Sequence, residues 1–184
     1  MKFKVSIEGI APLLQARHPT PEEEQKILSR KSSDKKIKVK DLTDLEQFKM
    51  HSYKTKAGKF MQPADMIEAA MTKAATNFKL EGKKTYKDVI KAGIIVDPIE
   101  IVHTNQKPAL DARWGRNQST GGAVWVVRPR FDTWKLNFTI TLLQDERVSA
   151  GMLEDILTYA GLYVAIGGWR PKFGRFRVTS FKEV

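Results

Sequence analysis

The chain has no cysteine, which excludes disulfides, thiolate metal sites and cysteine nucleophiles. It has only three histidines, His18, His51 and His103. None is spaced to pair with a nucleophile or a second base, so no catalytic residue is assigned. No run approaches the ~18 consecutive apolar residues of a membrane span. The start, Met1-Lys2-Phe3-Lys4-Val5, alternates and lacks the apolar core of a signal peptide. A cytoplasmic protein with no membrane partner is therefore expected. The patterns G-x-x-x-x-G-K-[ST], G-x-S-x-G and H-E-x-x-H are all missing. No cluster offers the three or four converging ligands a metal needs. Neither metal nor cofactor is expected. Carboxylates are the minority charge, and the run Glu22-Glu23-Glu24 sits on the first turn of a candidate helix. There the helix dipole favours acids without any catalytic role.

Basic residues are abundant. Lys and Arg number 32 against 21 Asp and Glu, a net charge of +11 over 184 residues. Such a balance favours an anionic partner. Nucleic acid fits better than a membrane surface, because no basic amphipathic helix of the membrane type stands out. The densest signal is Ala165-Ile166-Gly167-Gly168-Trp169-Arg170-Pro171-Lys172-Phe173-Gly174-Arg175-Phe176-Arg177-Val178. Glycine allows close backbone approach or φ > 0. Arg and Lys neutralise phosphate, and aromatic rings stack on unpaired bases. All three occur here between a helix-like and a strand-like segment. The segment reads as a nucleic-acid-binding loop, with a tight turn carrying basic decoration as the alternative.

Along the chain, residues 2–8 alternate as a strand with Phe3, Val5 and Ile7 on one face. Pro12 implies a bulge or an edge in the apolar run that follows. Residues 18–60 read as a basic subregion inserted after this strand. Thr20 can cap a short helix with Pro21 first in it. The tip carries Arg30, Lys31, Lys35 and Lys36, either a clamp on an anionic strand or a solvated lysine-rich loop. Pro63 opens a helix whose buried face holds Ile67, Ala70, Met71, Ala74, Ala75 and Phe78. Tyr86 to Ala92 can form a short helix ended by Gly93. Residues 94–102 read as a strand interrupted at Pro98. Residues 110–143 read as a hairpin turning at 117–122, then a long strand from Trp134. Ser149 caps a second helix that Gly161 can end. In the last strand Phe176, Val178 and Ser180 share one face.

The core order is strand, helix, strand, strand, helix, strand. This is an α+β, ferredoxin-like (RRM-like) βαββαβ arrangement with an antiparallel sheet. Residues 1–184 form one domain, with a hairpin inserted before the third core strand. That order, with the glycine-rich run Gly167 to Phe176 between the second helix and the last strand, resembles the RAMP superfamily of CRISPR RNA-binding proteins. The basic subregion and the hairpin from Trp114 to Trp125 are similar to insertions of the backbone subunit in that family. The resemblance implies RNA binding, assembly along the strand or with other ribonucleoprotein subunits, and a role in antiviral defence or in a phage relative of it. The family also includes endoribonucleases that use a histidine.

The reading is a non-enzymatic, sequence-tolerant binder of single-stranded RNA or DNA, with RNA preferred. The expected binding residues are Gly167, Gly168, Trp169, Arg170, Lys172, Gly174 and Arg175 of the loop, and Arg113, Trp114 and Arg116 of the hairpin. Arg30, Lys31, Lys35 and Lys36 complete the set. Two alternatives stay open: a metal-independent endoribonuclease of the repeat-processing type, and a self-assembling structural or inhibitory protein with an acidic protein partner.

Overall fold

Alternation at the N-terminus makes β1 (Lys2–Gly9), which buries Phe3, Val5 and Ile7 and exposes Lys2 and Lys4. The computed structural model describes residues 1–29, 31–32, 35–36, 42–116, 120–143 and 147–184. In chain order there follow β2 (Leu13–Leu14), α1 (Pro21–Ser29), β3 (Lys31–Ser32), β4 (Lys35–Lys36), α2 (Asp44–Met50) and β5 (Met61–Pro63). Next come α3 (Ala64–Ala74), β6 (Lys79–Glu81), β7 (Lys84–Thr85), α4 (Lys87–Gly93), β8 (Ile94–Asp97) and β9 (Glu100–Val102). The chain closes with β10 (Ala109–Arg116), β11 (Ala123–Phe131), β12 (Lys135–Leu142), α5 (Ala150–Tyr159) and β13 (Phe176–Glu183).

The fold is α+β with antiparallel sheets. The main sheet runs β13-β1-β12-β8, and every neighbour pair in it is antiparallel. Its inner face packs on α3 and α5. There Ile67 and Met71 of α3 meet Leu153, Ile156 and Leu157 of α5 in one apolar cluster with Phe3, Val5, Leu136 and Ile140. Each such side chain contributes roughly 1.5–3 kcal/mol by leaving water. α3 opens directly after Pro63, whose missing N–H is no loss at a helix start, and Asp65 lies in its first turn.

A second sheet runs β10-β11-β2. Pro12 was read as a bulge or an edge; it separates β1 from β2, and the chain there leaves the first sheet to become the edge strand of the second. α2 packs on β11: Gln47 accepts from the Val127 N–H and donates to the Leu42 carbonyl. A capping box of Thr43 and Glu46 starts this helix. Leu42, Met50 and Phe60 are buried, so residues 42–60 are part of the packed body.

Several local expectations are refined. The strand read over 94–102 divides at Pro98 into β8, which pairs with β12, and β9, which pairs with β5. Gly161 does not end its helix. Its Cβ position would fall 2.4 Å from the Phe176 carbonyl oxygen, so glycine there serves close packing while the chain continues through a wide turn at Ala160–Val164. β13 carries a bulge opposite Ser6 and Ile7, and Thr179 is its extra residue. The bulge turns Phe181, rather than Ser180, toward the core, where it stacks on Phe3 at 4.6 Å.

Candidate nucleic-acid interface

The segment after Val164 folds back onto the N-terminal crossover. Gly174 has φ +74, and a Cβ there would lie 1.7 Å from the Ile166 carbonyl oxygen. Gly167 has φ +80 and packs against Leu13 and the Leu14 carbonyl. The N–H groups of Gly168 and Gly174 donate to Leu14 and Pro12, each at 2.8 Å. Glycine is needed for this close packing, and these two N–H groups point into the protein. They are therefore spent on the fold, which leaves the side chains as the outward-facing groups of the loop.

Those side chains are arranged on one face of the β10–β11 hairpin. In the register Asp111 lies opposite Arg128, and Arg113 opposite Val126. These residues share a face with Gly115, where the Trp169 ring lies so close that an added Cβ would touch it in ordinary contact at 3.5 Å. The Arg113 guanidinium carbon lies 5.1 Å from the Trp169 ring centre and 5.0 Å from that of Phe173. Arg128 approaches Trp169 at 5.3 Å. Each contact adds roughly 0.5–2 kcal/mol according to how far it is dried. Asp111, nearly fully buried, holds Arg113 in a two-pronged ion pair and reaches Arg130 at 3.4 Å. Trp169 keeps 37% of its surface exposed. The outcome is an indole fixed by two guanidinium groups and still partly open to solvent.

Among the expected residues, Trp169 and Arg113 are thus brought together. Arg170, Lys172 and Arg175 lie exposed along the same loop, and Arg175 donates to the Pro171 carbonyl. Trp114 and Arg116 alternate with Arg113, so they fall on the opposite face of the hairpin. There Trp114, 67% exposed, meets Trp125 edge to face at 5.4 Å. Arg116 donates to the Gly121 carbonyl and braces the turn. Lys31, Lys35 and Lys36 lie in the short β3–β4 pair, while Arg30 lies outside the described residues. Trp134 is core, as its strand position suggested, and its indole N–H donates to Ala11.

Arg128 was overlooked in sequence, where Arg128-Pro129 reads as a strand end. Burial lowers its basicity, and its Nε has no hydrogen-bond partner. The repeated Arg-Pro pair, at 128–129 and 170–171, was the available signal. The open face of the main sheet presents Lys2, Lys4, Ser6, Asn137, Thr139 and Lys182, and no aromatic ring. Base stacking on a sheet, as in RRM-type modules, therefore has no platform there.

The histidines are dispersed. His103 is buried, lies flat on Phe131 at 4.3 Å, and is pushed down to about 4 by burial. His51 caps α2, and its Nδ1 lies 2.9 Å from the Arg17 carbonyl oxygen. Among the described residues no group of three His, Asp or Glu side chains is placed to hold a metal, and no helix is long and apolar enough to cross a membrane.

No family model matches this chain, and no curated protein does. Solved structures do. A chain of the Type III-B Cmr-beta complex, determined by cryo-EM bound to cognate target RNA, aligns with 98% of this chain at 10% identity and a TM-score of 0.53. A crystal structure of a CRISPR protein from Archaeoglobus fulgidus aligns with 98% at 13% identity, with a TM-score of 0.42. This chain spans 60% and 63% of those two chains. The first likeness shows that the α+β architecture is shared with a chain of the Type III-B Cmr-beta structure.

Proposed function

We propose that this protein is a non-enzymatic, sequence-tolerant binder of single-stranded nucleic acid, RNA in the first place, with a ferredoxin-like core of the RAMP kind. The carrying observation is the Trp169 indole, held by Arg113 and Arg128 beside Phe173 and left partly exposed. The exposed Arg170 and Lys172 flank it. A fixed ring accepts any base, and the guanidinium and ammonium groups accept the backbone, so such a site reads no sequence. The strand order β13-β1-β12-β8, with helices after β1 and β12, supports the ferredoxin-like core. Preference for RNA is supported by the shared architecture with a chain of an RNA-bound complex. Assembly of several copies along one strand, or with other subunits of a ribonucleoprotein, belongs to the same reading.

The test is fluorescence anisotropy with a labelled single-stranded 12-mer of RNA. Trp169→Ala should weaken binding by about 1–3 kcal/mol, the worth of one stacked base. Its melting temperature should stay within a few degrees of wild type. A folded Trp169→Ala variant with unchanged affinity refutes the site. Wild-type protein that purifies free of nucleic acid by its absorbance ratio, and binds no 12-mer at low salt, refutes the function.

A further inference from the structure

The open face of the main sheet carries a set of groups that the Trp169 site does not use. The register aligns four side chains across all four strands of that face. Lys182 of β13 stands opposite Lys4 of β1, Lys4 opposite Thr139 of β12, and Thr139 opposite Asp97 of β8. With strands about 4.8 Å apart, the row is roughly 14 Å long. The neighbouring row is neutral, with Ser180, Ser6 and Asn137 side by side. Ser6 donates its hydroxyl hydrogen to Asn137 Oδ1 at 2.7 Å, which leaves the amide donors of the exposed Asn137 for solvent. A hollow of about 350 Å³ covers the two rows, and its lining includes Lys4, Ser6, Asn137, Thr139, Ser180 and Asp97.

Lys4 and Lys182 carry like charges directly across the β1–β13 pair, an arrangement that destabilises a sheet. Lys2 lies on the same face, two residues along β1. Among the described residues no carboxylate pairs with Lys2, Lys4 or Lys182, while Glu8 on this face is held by Arg177 at 2.9 Å. Three lysines at one end of the face are therefore uncompensated, and an anion there relieves their repulsion. At the other end Asp97 only accepts hydrogen bonds when ionised. It suits a hydroxyl and repels a phosphate. Unpaired bases find no ring to stack on, but a ligand whose bases are already stacked needs none.

The matching surface alternates phosphate with hydroxyl and hides its bases. A-form RNA presents it, because the wide, shallow minor groove shows 2′-hydroxyls beside the phosphates. We propose that the open face of β13-β1-β12-β8 docks the minor-groove side of double-stranded RNA. Phosphates lie at Lys2, Lys4 and Lys182, and ribose hydroxyls at Asn137, Thr139 and Asp97. This surface uses none of the residues of the single-strand site at Trp169 and does not depend on it.

The experiment is anisotropy with a labelled RNA duplex of about 16 base pairs, the span of one double-strand-binding module, beside a DNA duplex of the same sequence. Wild type should bind the RNA duplex at low salt and prefer it to DNA by at least about fivefold, the worth of one or two hydrogen bonds to 2′-hydroxyls. The double change Lys4→Gln and Lys182→Gln should lower the log–log salt slope by about one per lysine removed. It deletes a like-charge contact, so its melting temperature should not fall. Asn137→Ala, a single exposed change, should cut the preference for RNA to about twofold or less and leave the salt slope unchanged. Trp169→Ala should bind the duplex as wild type does. Three results overturn the inference: no wild-type binding to the RNA duplex, equal binding of the RNA and DNA duplexes, or duplex affinity that falls with Trp169→Ala and not with the lysine changes. Single-strand binding is read separately with the 12-mer, so none of these results bears on the Trp169 site.

Discussion

His103 makes acid stability measurable at one residue. Its ring is buried, lies parallel to Phe131 within 5°, and neither nitrogen meets a protein partner. Burial holds the folded imidazole at about 4 against its ordinary 6.5. Between those values the unfolded chain takes up a proton and the folded chain does not. Stability contributed by the neutral ring is therefore complete above 6.5 and is lost as pH falls toward 4. At 1.36 kcal/mol per pH unit the gap is worth about 3 kcal/mol, a large part of the 5–15 kcal/mol typical of a domain. His103→Phe keeps a flat ring against Phe131 and removes the titration, at the cost of slight overpacking. Chemical denaturation at intervals from pH 7.5 to 4 gives two stability curves. Their difference should change by about 3 kcal/mol across the window, wild type losing more as pH falls. Curves that stay parallel would refute the argument that desolvation governs this ring.

Gly174→Ala should lower stability by roughly 2–5 kcal/mol in thermal unfolding, because φ +74 strains any side chain and its Cβ would overlap the Ile166 carbonyl. Gly58→Ala, at φ +78 but with open space around it, should cost only about 1 kcal/mol. Equal losses would show that backbone strain alone sets the effect. Binding of the RNA 12-mer should weaken with salt at a log–log slope of about −0.7 per neutralised phosphate. A flat dependence would mean that the cations of the loop and hairpin do not meet the strand.

The core was legible wherever one face is buried and the other wet. Phe3, Val5 and Ile7, the strand from Trp134 and the helix face of Ile67 and Met71 all follow the simple periods. Periodicity has no information on a bulge, so Phe181 was assigned to the wrong face. It also cannot tell a helix stop from a close contact, and Gly161 serves the contact. Of the candidate site, the loop and Arg113 were named from sequence, but their arrangement was not. Whether Gly168 and Gly174 aim their N–H groups at a ligand or at Pro12 and Leu14 depends on residues about 150 positions away. Arg128 was missed for the same reason: in sequence it neighbours a proline, and only the hairpin register places it under Trp169. Strand alternation does separate Trp114 from Arg113, a distinction that grouping by composition erased.

The clasp between the glycine loop and the crossover at Pro12 to Leu14 has a consequence for synthesis. The hairpin that carries Arg113 and Arg128 leaves the ribosome before Trp169 and Gly174 do. Until the later segment emerges, Pro12 and Leu14 lack the donors they accept from, Gly115 has no ring above it, and Arg128 stands without its indole. A nascent chain that has reached β12 thus holds its arginines but no platform to order them. The indole and its two arginines therefore come together only after residues 169–174 have followed the hairpin out, although the carbonyl partners at Pro12 and Leu14 were made first.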